Sequence, residues 1–274
     1  MSGSRIGCTI EVHPWYKDHF VGNTVVLPAV ETMLLLADHC RISHPEVNLR
    51  IMKNLEFQKF LKIPPQTAAV EALVEYESSS AGQITIKLLS QMRFKKMTRI
   101  KEHGRIVFST ETGVSPPAIV DTTPPAAPVK KISAAQIYAE LVPFGPAFHT
   151  LQDTLFLTGS SGWGRLLAPE LPFTRPVQEL LGSPFPLDGA MHAACVLGQQ
   201  MVDFVPFPVG FAQRTVWRPT QAGADYLTRV IVTEKKVDEL VFDVDIFNAA
   251  GHLFENITGL RMRNSGKATM TNMV

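Results

Sequence analysis

The feature that most constrains the fold is a pair of segments, about 160 residues apart, that read as helices and are apolar on nearly every side. The first covers residues 29–38 and follows a proline, and the second covers residues 187–204, before prolines at 206 and 208. A helix without a polar face must be covered by other elements on most of its surface. Each segment therefore needs a wrapping layer of its own.

Segments that alternate apolar and polar residues follow both predicted helices, and this period of two is typical of strands with one buried face. A turn at residues 248–251 joins the last two of them. The order of one helix followed by strands therefore occurs twice, which predicts an α+β fold with a buried helix wrapped by an antiparallel sheet in each half. The predicted strands cover residues 70–76, 84–89, 105–108, 226–232, 240–247 and 252–263.

A proline-rich connector divides the chain near its middle. Five prolines lie between positions 116 and 128, where they remove backbone donors and hold the chain extended. We predict an N-terminal unit over residues 1–115, a linker over 116–129 and a C-terminal unit over 130–274. The alternative is a long surface loop within one domain, although structureless loops of this length are uncommon.

Charge and cysteine content exclude several classes of protein. The formal net charge of +1 gives no overall attraction to nucleic acid or to a membrane surface. The longest apolar stretch, residues 25–37, contains Glu31 and Thr32 and is too short to span a bilayer. Three cysteines without Cys-x-x-Cys spacing favour a reducing compartment and give no zinc site. Because no secretory pattern opens the chain, we expect a cytoplasmic protein without nucleic-acid or membrane partners.

Three short segments carry residue types suited to proton transfer. His19 lies just before the first helix, and a neutral imidazole is a natural proton acceptor near pH 7. Residues 143–148 form a rigid turn with aromatic side chains. Asp188 stands at the start of the second helix, with His192 one turn later on the same face. Taken singly, Asp188 is typical of a helix N-cap and His19 of a packing residue.

Together, the order and spacing of these segments resemble the dehydratase domains of polyketide synthases and related fatty-acid synthases, which adopt a double hotdog fold. The family's His-x3-Gly-x4-Pro motif is matched by His19, Asn23 and Pro28. Its Asp followed four residues later by Gln or His is matched by Asp188 and His192. Its Gly-Tyr-Gly-Pro-x-Phe motif is matched in the turn by Pro143, Phe144, Gly145, Pro146, Ala147 and Phe148.

Four positions depart from the family pattern. Pro143 replaces the first glycine of the turn motif and stiffens the turn, and Ala29 stands where these enzymes often have a glycine. Asn23 replaces the motif glycine, and Gly22 beside it is expected to supply the backbone freedom. Phe144 replaces the motif tyrosine, so the hydroxyl that the tyrosine would offer is missing. The two proton-transfer residues are unchanged.

The resemblance implies loss of water from a 3-hydroxyacyl thioester, carried on the phosphopantetheine arm of an acyl carrier protein, to give a 2-enoyl thioester. His19 would take the proton next to the thioester, and Asp188 would protonate the departing hydroxyl. The free N–H of Ala29, at the start of the first helix, would bind the thioester oxygen as charge develops. His192 would orient the carboxyl group of Asp188, or it would be a packed core histidine. No metal or other cofactor is implied.

The implied carrier protein is usually acidic, and a basic run is the candidate docking face. A solvated strand face is the other interpretation of the same run. Further synthase components are expected partners, and exposed strand edges allow a homodimer. The candidate docking residues are Arg93, Lys95, Lys96 and Arg99, with Lys101, Lys59 and Lys62 nearby.

Other functions remain open at this point. The same fold and residue pair would serve a product-template-like cyclase or a double-bond isomerase. A non-catalytic module that binds acyl chains or carrier proteins belongs to a different class, and it would account for the changes at Asn23 and Phe144. Such a module has no physical need for a histidine facing an aspartate, which favours catalysis.

Overall fold

The computed structural model describes residues 4–79, 82–94, 97–112 and 119–264, with only the backbone at 93 and 94. One-turn 3-10 segments occupy Pro14–Asp18 and Pro146–Phe148, and a π-helical turn occupies Ile137–Leu141. The helices are α1 (Ala29–Ser43), α2 (Ala134–Gln136), α3 (Gln178–Leu181) and α4 (Phe185–Gly198). The strands are β1 (Ser4–Glu11), β2 (Phe20–Val21), β3 (Thr24–Val25), β4 (Ile51–Glu56), β5 (Ala69–Ser78), β6 (Gln83–Phe94), β7 (Met97–Ser109), β8 (Lys130–Ser133), β9 (Leu151–Leu157), β10 (Ser161–Leu167), β11 (Pro206–Val216), β12 (Asp225–Lys235), β13 (Glu239–Phe247) and β14 (Leu253–Asn264).

Twelve of the described strands form one antiparallel sheet in the order β1-β5-β6-β7-β4-β11-β14-β13-β12-β10-β9-β8. The first five strands belong to the N-terminal half and the remaining seven to the C-terminal half. Helix α1 packs on β6 and β7, and α4 packs on β9 to β13. The fold is therefore the double hotdog that the motifs implied, and β4 pairs with β11 to join its two halves.

Both long helices are where the sequence predicts them, but their ends differ. Helix α1 continues to Ser43, five residues past the predicted end, and α4 begins two residues earlier than predicted. The predicted continuation of the second helix to residue 204 is wrong, because α4 ends at Gly198. Turns and bends follow at residues 199–204, and Pro206 opens β11. A Cβ atom at Gly198 would lie 2.8 Å from Cγ of Pro206, so the close approach of this proline leaves no room for a side chain there. Every residue of α4 is buried, as an all-apolar helix requires.

The predicted strands all exist, and the turn at 248–251 is present with Gly251 at φ +79°. The alternation pattern missed eight of the described strands: β1, β2, β3, β4, β8, β9, β10 and β11. In two of them, glycines and prolines interrupt the alternation of apolar and polar residues. In β10, a Cβ atom at Gly162 would lie 3.0 Å from Val230, and β11 contains two prolines beside a bulge before Gly210. These strands depend on close packing against their neighbours, which the low β-strand propensities of glycine and proline do not reveal.

The connector packs against the C-terminal half where it is described. Residues 119–129 are irregular, and N–H groups of Val120 and Val129 donate to the carbonyls of Gly251 and Leu157 at 2.8 Å each. Pro116 and Pro117 lie outside the described residues. The division into units at 115 and 130 stays a prediction, since the two halves share one sheet.

Buried ion pairs lie at the contact between the halves. Arg214 on β11 is directly opposite Met52 on β4, and its Nε and Nη2 lie 2.8 and 2.7 Å from Oε2 of Glu255 on β14. All three side chains are buried. Burial raises the pKa of Glu255, and the Arg214 guanidinium opposes that rise. The pair thus fixes the inner strands beside the β4–β11 junction.

A second contact between the halves involves Arg175, which precedes α3. Its Nη2 donates to the hydroxyl of Tyr16 at 3.3 Å, and its Nε lies 3.8 Å from Oε2 of Glu31 on α1. Glu31 also accepts hydrogen bonds from Trp15 and Tyr16, at 3.2 and 2.9 Å. The C-terminal half therefore contacts α1 directly through a polar group.

No helix in the described part of the chain is long and apolar enough to cross a membrane.

Replacing Arg214 with leucine is expected to lower the free energy of unfolding by about 3–5 kcal/mol, because it leaves the Glu255 carboxylate buried without its partner. Denaturant unfolding measures the change. Arg165→Leu is the matched control, since Arg165 pairs with Asp153 and Asp225 at an exposed site and should cost far less. Equal losses in the two variants would contradict this interpretation of the junction.

Candidate active site

One cavity lies where the two halves meet, and its wall is mostly apolar. It encloses about 990 Å³, including the open space at its mouth. His19 contributes from the N-terminal half and Asp188 from the C-terminal half. Of the other predicted site residues, those that line the same cavity are His192, Ala29, Gly22 and Phe144.

His19 is held by the backbone in one orientation. It follows the first 3-10 segment, and its carbonyl accepts the N–H of Val26 at 3.0 Å. Its Nδ1 lies 3.3 Å from the carbonyl oxygen of Val26, which can only accept, so Nδ1 carries the proton. The Nε2 of His19 is therefore the nitrogen left with a free lone pair.

Burial lowers the pKa of His19 to about 4. The nearby Asp188 carboxyl group opposes this fall, and His192 adds to it. The imidazole is thus neutral at pH 7 and ready to accept a proton.

A tight hairpin positions His19 beside the start of α1. Strands β2 and β3 pair Phe20 with Val25, and Gly22 in the turn between them has φ +57°. Gly22 therefore supplies the left-handed residue that the family's motif places one position later, at Asn23. Pro28 then caps α1, and its carbonyl accepts the N–H of Thr32.

Asp188 lies inside α4 instead of at its cap. The N-cap residue is Pro184, and the N–H of Asp188 donates to its carbonyl at 3.2 Å. The N-cap interpretation is therefore wrong. Oδ2 of Asp188 lies 3.0 Å from Nε2 of His192, but the two are not aligned as a hydrogen bond, and both atoms are buried without a hydrogen-bond partner among the described residues. Two unpaired polar atoms thus face each other at the cavity.

Phe144 packs between the histidines. Its ring stacks on His19 with centroids 4.4 Å apart, and it lies 5.2 Å from the ring of His192. Phe148 also contacts His19, edge to face, at 5.1 Å. The aromatic turn therefore excludes water from His19 without offering it a hydrogen bond.

Asp18 holds the aromatic turn against the loop that carries His19. Its carbonyl accepts the N–H of Gly145, and its Oδ2 accepts the N–H of Ala147, both at 2.8 Å. A Cβ atom at Gly145 would lie 2.5 Å from Cγ of Asp18, so this close approach requires glycine. Gly145 and Pro146 shape the turn and do not line the cavity. Sequence reasoning missed Asp18, whose only signal was its place next to His19.

Ala29 is the first residue of α1, and it lines the cavity. The N–H groups in the first turn of a helix have no acceptor within the helix, and the helix dipole adds positive character there. The start of α1 is therefore a place where a partial negative charge on a bound molecule would be stabilised.

Among the predicted apolar walls, Met191 lines the cavity, whereas Met33, Leu36 and Val196 are core residues away from it. The apolar pattern of the helices could not distinguish cavity-lining residues from core residues, since all four lie on buried helix faces. Sequence reasoning missed much of the lining, which comes from loops, strands and helix α4. These missed residues include Phe57, Phe60, His103, Cys195, Phe207 and Met262. Lys59, which the sequence placed near the docking face, also lines the cavity.

Neither Cys195 nor His103 competes with His19 as a reactive group. Burial raises the pKa of Cys195 to about 12, so its thiol stays protonated. Both ring nitrogens of His103 are occupied, one by the hydroxyl of Ser90 at 2.7 Å and the other by the carbonyl of Lys59 at 3.0 Å. Of the described histidines in the wall, His192 lies 3.0 Å from Asp188, and the Asp188 carboxyl group opposes the fall that burial causes in the pKa of His19.

The imidazole of His19 is expected to titrate near pH 4 instead of near 6.5. In the window between these values the unfolded chain binds the proton and the folded chain does not, so this group lowers the stability of the fold as pH falls from 6.5 to 4. Nuclear magnetic resonance of the ring, assigned with His19→Gln, measures the midpoint. Asp188→Asn should move it lower still, because it removes the opposing carboxyl group. A midpoint near 6.5 would contradict the buried, neutral imidazole.

A sequence profile described as "Polyketide synthase dehydratase N-terminal domain" matches residues 111–272, which is more than half of the chain. No curated protein sequence is significantly similar to this chain.

Solved structures are similar over nearly the whole length. A trans-AT polyketide synthase dehydratase domain from Brevibacillus brevis is 16% identical, with a TM-score of 0.74 over 96% of this chain and 94% of that one. A bifunctional dehydratase-cyclase domain of ambruticin biosynthesis is 22% identical, with a TM-score of 0.68 over 95% of this chain and 91% of that one. An inactive histidine-to-phenylalanine variant of the CurJ dehydratase is 15% identical, with a TM-score of 0.73 over 96% and 92%. At these identities the likeness shows a shared fold.

Proposed function

Since the chain belongs to the polyketide synthase dehydratase family, we propose that it removes water from a 3-hydroxyacyl thioester to give a 2-enoyl thioester. The observation that carries the proposal is the shared cavity of His19 and Asp188, which come from opposite halves of the fold. A neutral histidine base and a carboxyl group in one dry pocket are the two groups that such an elimination needs.

In the proposed reaction, Nε2 of His19 takes the proton from the carbon next to the thioester. Its Nδ1–H stays bound to Val26, so the ring keeps its orientation as it becomes charged. Phe144, stacked on the ring, stabilises the imidazolium through its π face. Asp188 protonates the β-hydroxyl, the carbon–oxygen bond breaks, and water leaves. The electron pair of the lost C–H bond becomes the new double bond.

The thioester oxygen gains negative charge as the proton leaves. The first N–H groups of α1, with Ala29 foremost, are the proposed donors to it. Loss of one such donor costs on the order of 100-fold or more in rate in other enzymes. The roles of His19, Asp188 and Ala29 all require the substrate carbonyl to sit at the start of α1.

The substrate is proposed to arrive on the phosphopantetheine arm of an acyl carrier protein, as part of polyketide or fatty-acid-type synthesis. Lys59 lines the cavity, beside an exposed Phe60, and suits an acidic partner. Arg99 is exposed on β7. Lys95, Lys96 and the side chain of Arg93 lie outside the described residues, so their part in docking stays a prediction.

A cytoplasmic location and a homodimer stay proposals of the same kind. The three cysteines are buried free thiols, which suits a reducing compartment. Strand β1 lies at one end of the described sheet and β8 at the other, so either edge could pair with a second copy.

A 3-hydroxyacyl thioester of a simple pantetheine analogue tests the reaction, with formation of the enoyl product followed by its absorbance. His19→Ala and Asp188→Asn should each lower the rate by about 10²–10⁴-fold, because each removes one proton-transfer group. His252→Ala and Asp203→Asn are matched controls at exposed positions, and they should keep the parent rate.

The result separates the proposed function from its alternatives. An active parent with inactive His19 and Asp188 variants supports dehydration. A parent that binds the analogue without turning it over would instead point to a binding module. A parent that only shifts an existing double bond would point to an isomerase.

Docking of the carrier protein is tested by reversing the charge of Lys59, which lines the cavity, and of Arg99, which is exposed on β7. A Lys59→Glu/Arg99→Glu variant should raise KM several-fold for a carrier-bound substrate, and less for the free pantetheine analogue. Lys130→Glu is the control, because β8 lies at the opposite end of the sheet from β6 and β7. Equal effects on both substrates would place these residues outside the docking surface.

A further inference from the structure

The aromatic turn lacks the hydroxyl of the family's motif tyrosine, yet a tyrosine hydroxyl does reach the site from another direction. Tyr138 lies in the π-helical turn, six residues before Phe144. It is buried, its ring stacks on His149 with centroids 4.2 Å apart, and it meets the ring of His192 edge to face at 5.8 Å. The side chain is thus held in one place by packing on both sides.

The hydroxyl of Tyr138 has three neighbours. It accepts a hydrogen bond from the N–H of Leu151 at 2.7 Å, and its oxygen lies 3.4 Å from Nδ1 of His192. Thr150 is the third, and like Leu151 it acts on the oxygen as a donor that opposes the effect of burial on the pKa of Tyr138. Because these two donors face the lone pairs, the hydroxyl proton is free to point at Nδ1. Burial raises the pKa of Tyr138, so the hydroxyl keeps that proton.

We propose that Tyr138 is a positioning residue that holds His192 as the tautomer with its proton on Nε2, so that His192 binds Oδ2 of Asp188 and leaves Oδ1 to protonate the substrate. A neutral imidazole has one donor and one acceptor nitrogen. When Tyr138 donates to Nδ1, the ring proton must be on Nε2, 3.0 Å from Oδ2 of Asp188. The proposal rests on the proposed dehydration for its catalytic consequence.

The opposite tautomer would work against the reaction. An unprotonated Nε2 would either face a carboxylate oxygen lone pair to lone pair, or draw the acidic proton of Asp188 onto Oδ2. In the second case the proton would point at His192 instead of at the substrate. The two atoms are unpaired and close but misaligned, so a small rotation on substrate binding would complete the hydrogen bond.

This arrangement also accounts for the loss of the motif hydroxyl. Phe144 packs its ring on His19 and near His192 but donates nothing. Tyr138 supplies a hydroxyl to His192 from the opposite end of the same connecting segment. The acid side of the site thus keeps a hydroxyl partner, while the aromatic rings on the base side offer His19 no hydrogen bond.

Tyr138→Phe tests the proposal, because it removes the hydroxyl and keeps the ring that stacks on His149. The first measurement is the nitrogen resonances of His192 in protein without substrate, assigned with His192→Gln. The parent is expected to show Nδ1 unprotonated, and the variant a mixture of both tautomers. The same tautomer in parent and variant would overturn the proposal, whatever the activity.

The second measurement is kcat with the pantetheine analogue. Tyr138→Phe is expected to lower kcat about 10- to 100-fold with little change in KM, because the acid is mispositioned while the substrate still binds. In a His192→Ala background the same substitution should have no further effect. Losses that multiply in the double variant would overturn a role through His192.

Tyr226→Phe is the matched control. Tyr226 is also buried, and its hydroxyl also accepts a backbone N–H, that of Gln221, at 2.7 Å, but it does not line the cavity. It should lower stability about as much as Tyr138→Phe and leave kcat unchanged. An equal fall of kcat in both variants would assign the effect of Tyr138 to stability and overturn the proposal. A parent without dehydratase activity would overturn the proposed function, and the tautomer measurement would still decide the position of the proton.

Discussion

The pairing of β4 with β11 is the constraint on which the rest of the molecule depends. Each half has its own helix and its own strands, but neither half holds a complete site. Because the two strands pair, the halves form one continuous sheet and α1 comes into contact with α4. The buried pair of Arg214 and Glu255 lies beside this junction. Any change in the register of β4 on β11 would therefore move His19 relative to Asp188.

The same contact between the halves creates the electrostatic character of the site. An apolar cavity penalises charge, so His19 stays neutral although a carboxyl group lies nearby. Phe144 and Phe148 cover the imidazole, and the Val26 carbonyl leaves only Nε2 available. In the proposed reaction such a base would act only on a substrate that enters the cavity, and a dry site of this kind limits side reactions with water.

The departures from the family's motifs at Asn23 and Phe144 are each offset by a neighbouring residue. Gly22 provides the left-handed backbone position that Asn23 does not. The hydroxyl missing at Phe144 is replaced, in our proposal, by that of Tyr138 on His192. Asp18 holds the altered turn through two backbone N–H groups, and this close contact explains why Gly145 has no side chain. The changes therefore alter the surroundings of His19 and Asp188, the two residues to which we assign proton transfer, and not their presence.

The sequence by itself determined the two buried helices, the strands with regular alternation and the residues suited to proton transfer. Those features are local, because a helix or strand shows its buried face in residues three, four or two positions apart. Strands such as β10 and β11 were not predicted, because their glycines and prolines are explained only by packing against neighbours.

The tertiary structure alone decided which side chains meet. Asp18 binds Ala147 across 129 positions, and Tyr138 reaches His192 across 54. Arg175 donates a hydrogen bond to Tyr16, which lies 159 positions earlier in the chain. The tertiary structure also shows that Met191 lines the cavity, whereas Met33, Leu36 and Val196 do not. No period in the sequence encodes such contacts, because they depend on how whole elements pack and not on the spacing of residues within one element.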